Sequence, residues 1–565
     1  MEKHLRKSIP GTFYVTLIAT VEALLFLSKS SGTDTSGRPV AALSVILTLN
    51  LVLYAFYWTV IYPRFFSVLR GLPTAKGGLP LIGYGPDQFA SPRGPPFLHM
   101  VKTIPNDGLI RFSGFLNREH LLLTSPEMLS EVLVRHPYDF TKPLAARNLL
   151  RRFLGFSLVL AEGDQHKHLR KNMQPHFTFR KIQDLYPIFW SKAVAMTRGI
   201  KQSMSEEETG EVTVNVNEWA SRATLDAIGR AVLGRDFYDP KNKNELLDLY
   251  GTVMSTSWEM RAVFIATAFL PRWTLKLIPG GIDKRITTAN VGLRRAARSL
   301  LEERKKDKNL SEQSDILSQL ITSNSFSDAE LVDQIITLLA GGYDPTTTAF
   351  SWVIHFLTLY PEWQARLRSE LRASIPSHYL SPTSTATSPP PTLLESLPVL
   401  NAVCNETFRF MPTTPITTRV AANDTVLASS PIPAGTKLFI SPYVINRSTA
   451  LYGSDAEDFN PRRWITDAPD TGEQKANNSG GASSNYAFLT FLHGPRKCIG
   501  HLYAKAEVRA FVAVFVSQWE FEAAKGEKVR PGGQVAVKPA GDLRVRMRPV
   551  VEGRFGDGDR GKKGE

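Results

Sequence analysis

The sequence predicts a mainly α-helical protein with small β-sheets, preceded by N-terminal membrane-crossing helices. Three observations support that class. From about 95 to 550 the apolar residues recur with helical spacing, and strand-like runs are confined to 109–123 and the region from 416 onward. No internal repeat and no interdomain linker divides this body, so most of the 565 residues form a single domain. Two apolar stretches, 11–27 and 40–62, open the chain. The resulting division is an anchor over 1–63, a hinge over 64–94, a single domain over 95–550 and a disordered tail over 551–565.

The second apolar stretch has about 23 residues, where about 20 cross a bilayer core. Tyr57, Trp58 and Tyr62 near its end suit an interfacial aromatic belt. The first stretch is shorter and carries Glu22, but no small-residue cleavage site follows it as in a secretory signal. Lys3, Arg6 and Lys7 precede the pair, Arg64 and Arg70 follow it, and the loop between is nearly neutral. Two spans with both outer ends cytosolic satisfy the positive-inside rule, and a single span also leaves the body in the cytosol. Gly71-Leu72-Pro73 and Gly77-Gly78-Leu79-Pro80 then form a stiff, turn-rich hinge.

Composition narrows the class further. The 43% hydrophobic content excludes a disordered chain, and a mean hydropathy of −0.14 excludes a polytopic transporter. Two cysteines, Cys404 and Cys498, supply neither a disulfide framework nor a four-cysteine zinc site. A net charge of +14 fits an anionic membrane surface or an acidic partner. It also fits nucleic acid, but no zinc or RRM pattern accompanies it, and no Lys/Arg run is interleaved with aromatics.

Within the body, Ser327-Asp328-Ala329-Glu330 is a capping box that opens an apolar-periodic helix reaching Phe356. Gly341, Gly342 and Pro345 interrupt it, which predicts a break mid-helix, since proline removes a backbone donor and crowds the preceding turn. The segments 376–392 and 466–484 read as surface loops. Near the C-terminus, Gly494 and Gly500 bracket Cys498, with Arg496 and Lys497 beside it and a helical pattern from Tyr503. A cysteine just ahead of a helix and next to cations has a stabilised thiolate, suited to a nucleophile or a metal ligand. By itself, such a cysteine is more often structural.

Phe491, Gly494, Arg496, Cys498 and Gly500 match all five fixed positions of F-x-x-G-x-R-x-C-x-G, and Ala504 and Glu507 continue it as A-x-x-E. This run resembles the haem-binding signature of the cytochrome P-450 family. Other segments agree in the family's order: Glu406 and Arg409 as E-x-x-R, with Arg463 completing a structural lock. His166 and Arg170 resemble the third-helix G-x-x-W-x-x-x-R, with His166 where tryptophan is more usual. The segment from Ala340 to Thr347 resembles the oxygen-binding A/G-G-x-D/E-T-T/S, with Pro345 at the usual threonine position.

The resemblance implies the cytochrome P-450 fold over roughly 80 to 550 and a monooxygenase using haem b, its iron ligated by Cys498. His166, Arg170, Arg419 and Arg496 would meet the haem propionates. Phe491 would pack beside the thiolate, Gly500 would turn the backbone past the group, and Gly341 and Gly342 would leave room over the haem face. Asp344 would relay protons, with Thr346 or Thr347 as the alcohol that holds the iron-bound oxygen. Partners would be O2, an apolar small molecule and an NADPH-cytochrome reductase, at the endoplasmic reticulum membrane with the body facing the cytosol. Pocket walls are expected from 140–160, 220–269, 336–342, 416–420 and 535–537. The resemblance is to fungal microsomal members and points to a terpenoid or polyketide secondary metabolite. A haem-thiolate isomerase or dehydratase acting on a peroxide without a reductase is the alternative reading, and a haem sensor is a third. Five glycosylation sequons, at Asn309, Asn405, Asn423, Asn446 and Asn477, are irrelevant to a cytosolic body.

Overall fold

The fold is taken from a computed structural model that describes residues 21–22, 38–204, 211–237, 249, 258–270, 272–278, 281–380, 388–468, 472–526, 529–533 and 536–550. Most of the first apolar stretch, the 551–565 tail, parts of both surface loops and parts of two expected pocket walls lie outside the described residues.

Helix α1 (Arg38–Phe56) runs on without a break into a π-helical segment, Tyr57–Phe66. The stretch Ser44–Phe66 has 23 residues, with a mean hydropathy of 1.8 over its apolar core, so it is long and apolar enough to cross a membrane. It ends four residues beyond the predicted limit, with Pro63 inside it. The wider i→i+5 ladder accommodates that proline, and it closes where the Ser67 N–H donates to the Tyr62 carbonyl at 2.9 Å. Glu22, of the first apolar stretch, accepts from Asn50 Nδ2 at 2.8 Å.

The hinge is fixed to the body. Ser67 caps a short 3-10 turn and donates to Glu119, whose carboxylate also pairs with Arg111 at 2.6 Å. Arg111 reaches back to the Pro63 carbonyl, and its backbone bonds Pro73 and Ala75. The predicted turn-rich connection therefore continues the edge of the first sheet.

That sheet has five strands in the order Leu109–Ser113, Glu119–Leu123, Lys437–Ile440, Thr417–Ala421, Phe140–Thr141. Only the pairing of 119–123 with 437–440 is parallel, which places Arg419 inside the sheet opposite Leu438. A second sheet joins Trp519–Ala523, Arg544–Pro549 and Val212–Asn215. Phe140–Thr141 and Val212–Asn215 were not expected as strands. Each is two to four residues long between helices, and each is extended only because a segment hundreds of residues away supplies its partner.

Helices form the rest: α2 (Leu144–Leu154), α3 (Gly163–Met173), α4 (Tyr186–Met204), α5 (Val216–Leu233), α6 (Trp258–Phe269), α7 (Ile282–Lys305), α8 (Asp328–Leu359), α9 (Pro361–Ser374), α10 (Pro398–Phe410) and α11 (His501–Gln518). The main apolar core is continuous from Leu149 to Met547. Through it runs α8, packed against α5, α7 and α11, while α11 also packs on α4.

Helix α8 starts at the predicted capping box, with both reciprocal bonds made between Ser327 and Glu330. The expected break is absent: all 32 residues stay helical through Pro345. Proline deletes one bond, whereas the flanking turns are buried on several sides, and packing outweighs local preference. The hydroxyls of Thr346, Thr347 and Thr348 each donate to the carbonyl four residues earlier, which ties together the turn that proline weakens.

The Glu–Arg–Arg lock forms. Glu406 and Arg409 have fully buried side chains, joined by two bonds of 2.7 Å, and Arg463 adds a third contact at 3.3 Å. Every remaining acceptor position of Glu406 is used: the Asn460 N–H and Trp464 Nε1 donate to it at 2.7 and 2.9 Å. Arg409 in turn donates to the carbonyls of Asn446, Ala456 and Asp458. The pair thereby fastens α10 to the loop that leads into the cysteine segment. Asn405 and Asn446 are buried beside it, where a glycan would not fit.

Candidate active site

The cysteine loop is shaped by Gly494. Its φ is +72°, and a Cβ there would overlap the Leu133 carbonyl oxygen, so only glycine lets the loop lie against that segment. We expect Gly494→Ala to cost about 1–3 kcal/mol, read as a lowered urea midpoint. The loop closes where the Cys498 N–H donates to the Phe491 carbonyl at 2.9 Å. Phe491 packs on Phe408 and near His501. Gly500 departs from expectation: its φ of −87° is ordinary, and the position of a Cβ meets open space.

The two cysteines part company here. Cys404 is sealed in the core, where burial pushes its thiol up to about 12. Cys498 is exposed, so its thiol is open to a bound group. Burial raises its thiol pKa, and the Gly500 N–H, Arg170 and Lys497 act in the opposite direction.

Beside this loop the fold gathers cations with almost no anion. Arg419 is buried and donates to Thr417 and Thr418; burial and then Arg496 push it down to about 10. Arg496 holds the Pro137 and Ala161 carbonyls and pairs with Glu162. His166 is buried, with Nδ1 3.1 Å from Tyr138 Oη, and burial followed by Arg496, Lys142, Arg170 and Arg419 pushes it down to about 3. Lys142, which sequence reasoning missed, falls to about 7 through burial, Arg419 and Arg496, with Glu162 opposing. No motif marks Lys142; only the folding of residues 137–170 against the cysteine loop and the first sheet brings it in. Arg170, expected to share a carboxylate with His166, spends Nη1 on the Lys497 carbonyl at 2.7 Å and so braces the cysteine loop. Among the described residues one acid, Glu162, faces these groups, so the site is electrostatically unfinished and suits an anionic ligand.

The residues on α8 do not all face one way. Gly341 is open: nothing lies within 4 Å of where a Cβ would be. Gly342 was expected to leave room for a bound group, but a Cβ there would overlap Ile228 of α5. Its role is helix packing, and Gly342→Ala should lower thermal stability by about 1–3 kcal/mol while Gly341→Ala does not. Asp344 pairs with Lys538 at 3.4 Å. The Thr347 hydroxyl lies 2.6 Å from Thr224 on α5. Thr346 sits beside Glu507 of α11 and bonds the Gly342 carbonyl. Acid and alcohols thus diverge to three neighbours.

Glu507 is fully buried, and neither oxygen has a hydrogen-bond partner among the described residues. Burial raises its pKa well above the carboxylate range, with only Thr346 opposing. Above the unfolded pKa the folded chain therefore holds a proton that the unfolded chain releases, and stability falls as pH rises. Glu507→Gln should remove up to about 1.4 kcal/mol of that loss per pH unit. Denaturant midpoints of both forms, measured from pH 5 to 8, check this.

Residues 73–541 match the family model described as Cytochrome P450. The chain belongs to the cytochrome P450 family. It is 44% identical to "Cytochrome P450 monooxygenase abl5" of Leptosphaeria maculans, over 95% of this chain and 98% of that protein. It is 40% identical to "Cytochrome P450 monooxygenase sphH" of Aspergillus fumigatus, over 89% and 92% of the two chains. For "Cytochrome P450 monooxygenase ptmK" of Penicillium ochrochloron the identity is 35%, over 88% and 97%. The protein is an oxidoreductase, a haem monooxygenase that uses a cysteine thiolate ligand and takes electrons from a redox partner. Its mainly helical fold with small sheets is the family's.

The residues present fit such a cofactor. The Cys498 thiol is exposed, the Cβ positions of Gly341 and Gly500 are open, and buried Arg419 and Arg496 suit the anions that two propionates would bring.

Proposed function

We propose that Cys498 is the haem iron ligand and that the chain oxidises an apolar small molecule of a fungal secondary-metabolite pathway, a terpenoid or polyketide. The observation that carries the site assignment is the exposed thiol beside the buried guanidinium groups of Arg419 and Arg496. When bound, haem with a thiolate ligand supplies oxygen activation, so that one atom of O2 enters the substrate and the other becomes water.

The chain's own groups divide the remaining work. His166, Lys142, Arg419 and Arg496 bind the propionates, and Arg170 holds the loop that presents the thiolate. Phe491 fixes the Cys498 backbone through its carbonyl, and the open Cβ positions at Gly341 and Gly500 leave the group its room. Asp344, held by Lys538, relays protons at the α8 face. Thr346 is the preferred alcohol, because it stands next to the buried Glu507, whereas Thr347 is engaged by Thr224.

The 1–63 segment anchors the protein in the endoplasmic reticulum membrane, and the two apolar stretches form a two-span unit in which Glu22 meets Asn50. The 64–94 hinge sets the tilt of the 95–550 domain, which lies on the cytosolic side. An NADPH-cytochrome reductase supplies electrons. The dithionite-reduced, CO-treated protein should show the thiolate-type Soret band, and a band at the position of a histidine-ligated haem would refute the site.

A second reading, isomerisation or dehydration of a peroxide without a reductase, is favoured by Pro345 at the alcohol position and by the divergence of Asp344 and Thr346. Turnover that proceeds without NADPH and reductase would select it.

A further inference from the structure

A cavity of about 460 Å³ lies between α2, the facing helix α6 and the turn that follows α6. Its walls differ in chemistry. On one side α2 contributes Asn148, Arg151 and Arg152; on the other stand Thr267, Leu270 and Leu275. The cationic wall is short of partners. Arg152 pairs with Asp283 through Nη2 at 2.6 Å, but its Nη1 is buried with no hydrogen-bond partner among the described residues. The Arg151 guanidinium lies 4.1 Å over the Phe156 ring, and its Nε is likewise buried and unmatched. Arg147, one turn earlier, has the same orphaned Nε, and α2 carries no acid of its own. The nearby acid Asp333 is already held by Arg294 at 2.8 Å.

The guanidinium groups of Arg151 and Arg152 line the cavity, and a planar two-oxygen anion is what a guanidinium fork binds in pairs. The opposite wall is apolar except for Thr267, so the matching ligand has a hydrocarbon body and a carboxylate end. The cavity is tied to the catalytic helix, because the Phe156 N–H after α2 donates to Asp333 of α8 at 2.7 Å.

We propose that this cavity is a carboxylate subsite for the substrate, with Arg151 as its anchor. The substrate is then an apolar molecule with one carboxylate. This rests on the monooxygenase reading and narrows its substrate class.

The test uses the haem-loaded full chain in neutral detergent, with dodecanoate and hexadecanoate compared against their methyl esters. Binding is read by equilibrium dialysis and by displacement of the Soret band. Wild type should bind the acids at least about tenfold more tightly than the esters, the scale of a charge-assisted bond. Arg151→Gln, which leaves the Arg152–Asp283 pair intact, should bring acid and ester within about twofold, with ester affinity unchanged. Arg151→Lys should keep part of the preference. Equal binding of acid and ester by wild type, failure of wild type to bind either acid, or a preference retained in Arg151→Gln would each overturn the subsite. The CO-bound band of the same samples reports on the monooxygenase reading separately, since dialysis needs no spectral change.

Discussion

Cys498→Ala is expected to abolish the thiolate-type band of the reduced, CO-treated protein and to reduce turnover to background, with little change in the melting of the apoprotein. The asymmetry follows from where the side chain points. Cys498 lines open space, so its removal leaves no core cavity and changes only what can be held there. The control is Cys404→Ala. That thiol lies in the main core beside α11, so its loss should cost about 1–2 kcal/mol of stability and leave the band unchanged. A Cys498→Ala protein that keeps the band, or a Cys404→Ala protein that loses it while folded, would refute the assignment.

Glu406→Ala should be the most damaging change to the fold. It leaves Arg409, 0% exposed, without its carboxylate, and strands the Asn460 N–H and Trp464 Nε1 as well. Breaking a buried pair by removing one partner costs about 3–5 kcal/mol. That is a large share of the 5–15 kcal/mol typical of folded domains. Because the lock fastens α10 to the loop ahead of Cys498, we expect insoluble chain or protein unable to retain haem. Glu406→Gln keeps the acceptor oxygen and should be milder. Urea denaturation of both variants, alongside haem content per chain, checks the ranking; equal midpoints for wild type and Glu406→Ala would remove the lock from any structural role.

Much of the site was legible because its parts are fixed by short-range chemistry. The cysteine segment is one continuous run, and the positive φ of Gly494 belongs to that run's own loop, although the close approach that also demands glycine is to the distant Leu133. The capping box of α8 and the i, i+3 pair Glu406/Arg409 are equally local, and both form as read. The resemblance to the family rested on the same runs, and it covers the residues that the family model matches.

The misreadings share one cause. Pro345 predicts a break by its own backbone chemistry, yet the helix holds because α5, α7 and α11 bury the turns on either side. Gly342 is read as open space until α5 is in place, and then Ile228 fills that space. Arg170 shares a helix face with His166, but which acceptor it reaches is decided by the cysteine loop 327 residues away in sequence.

The sequence by itself therefore determined the fold class, the membrane-length apolar helix, the cysteine loop and the scaffold ion pair, because each depends on spacing within one segment. Only the tertiary structure decided which of two cysteines stays exposed, that Lys142 joins the cation cluster, and that Asp344, Thr346 and Thr347 turn to different neighbours. Those outcomes depend on which distant surfaces meet, and burial, not spacing, sets the charge state and partners of a side chain once they do.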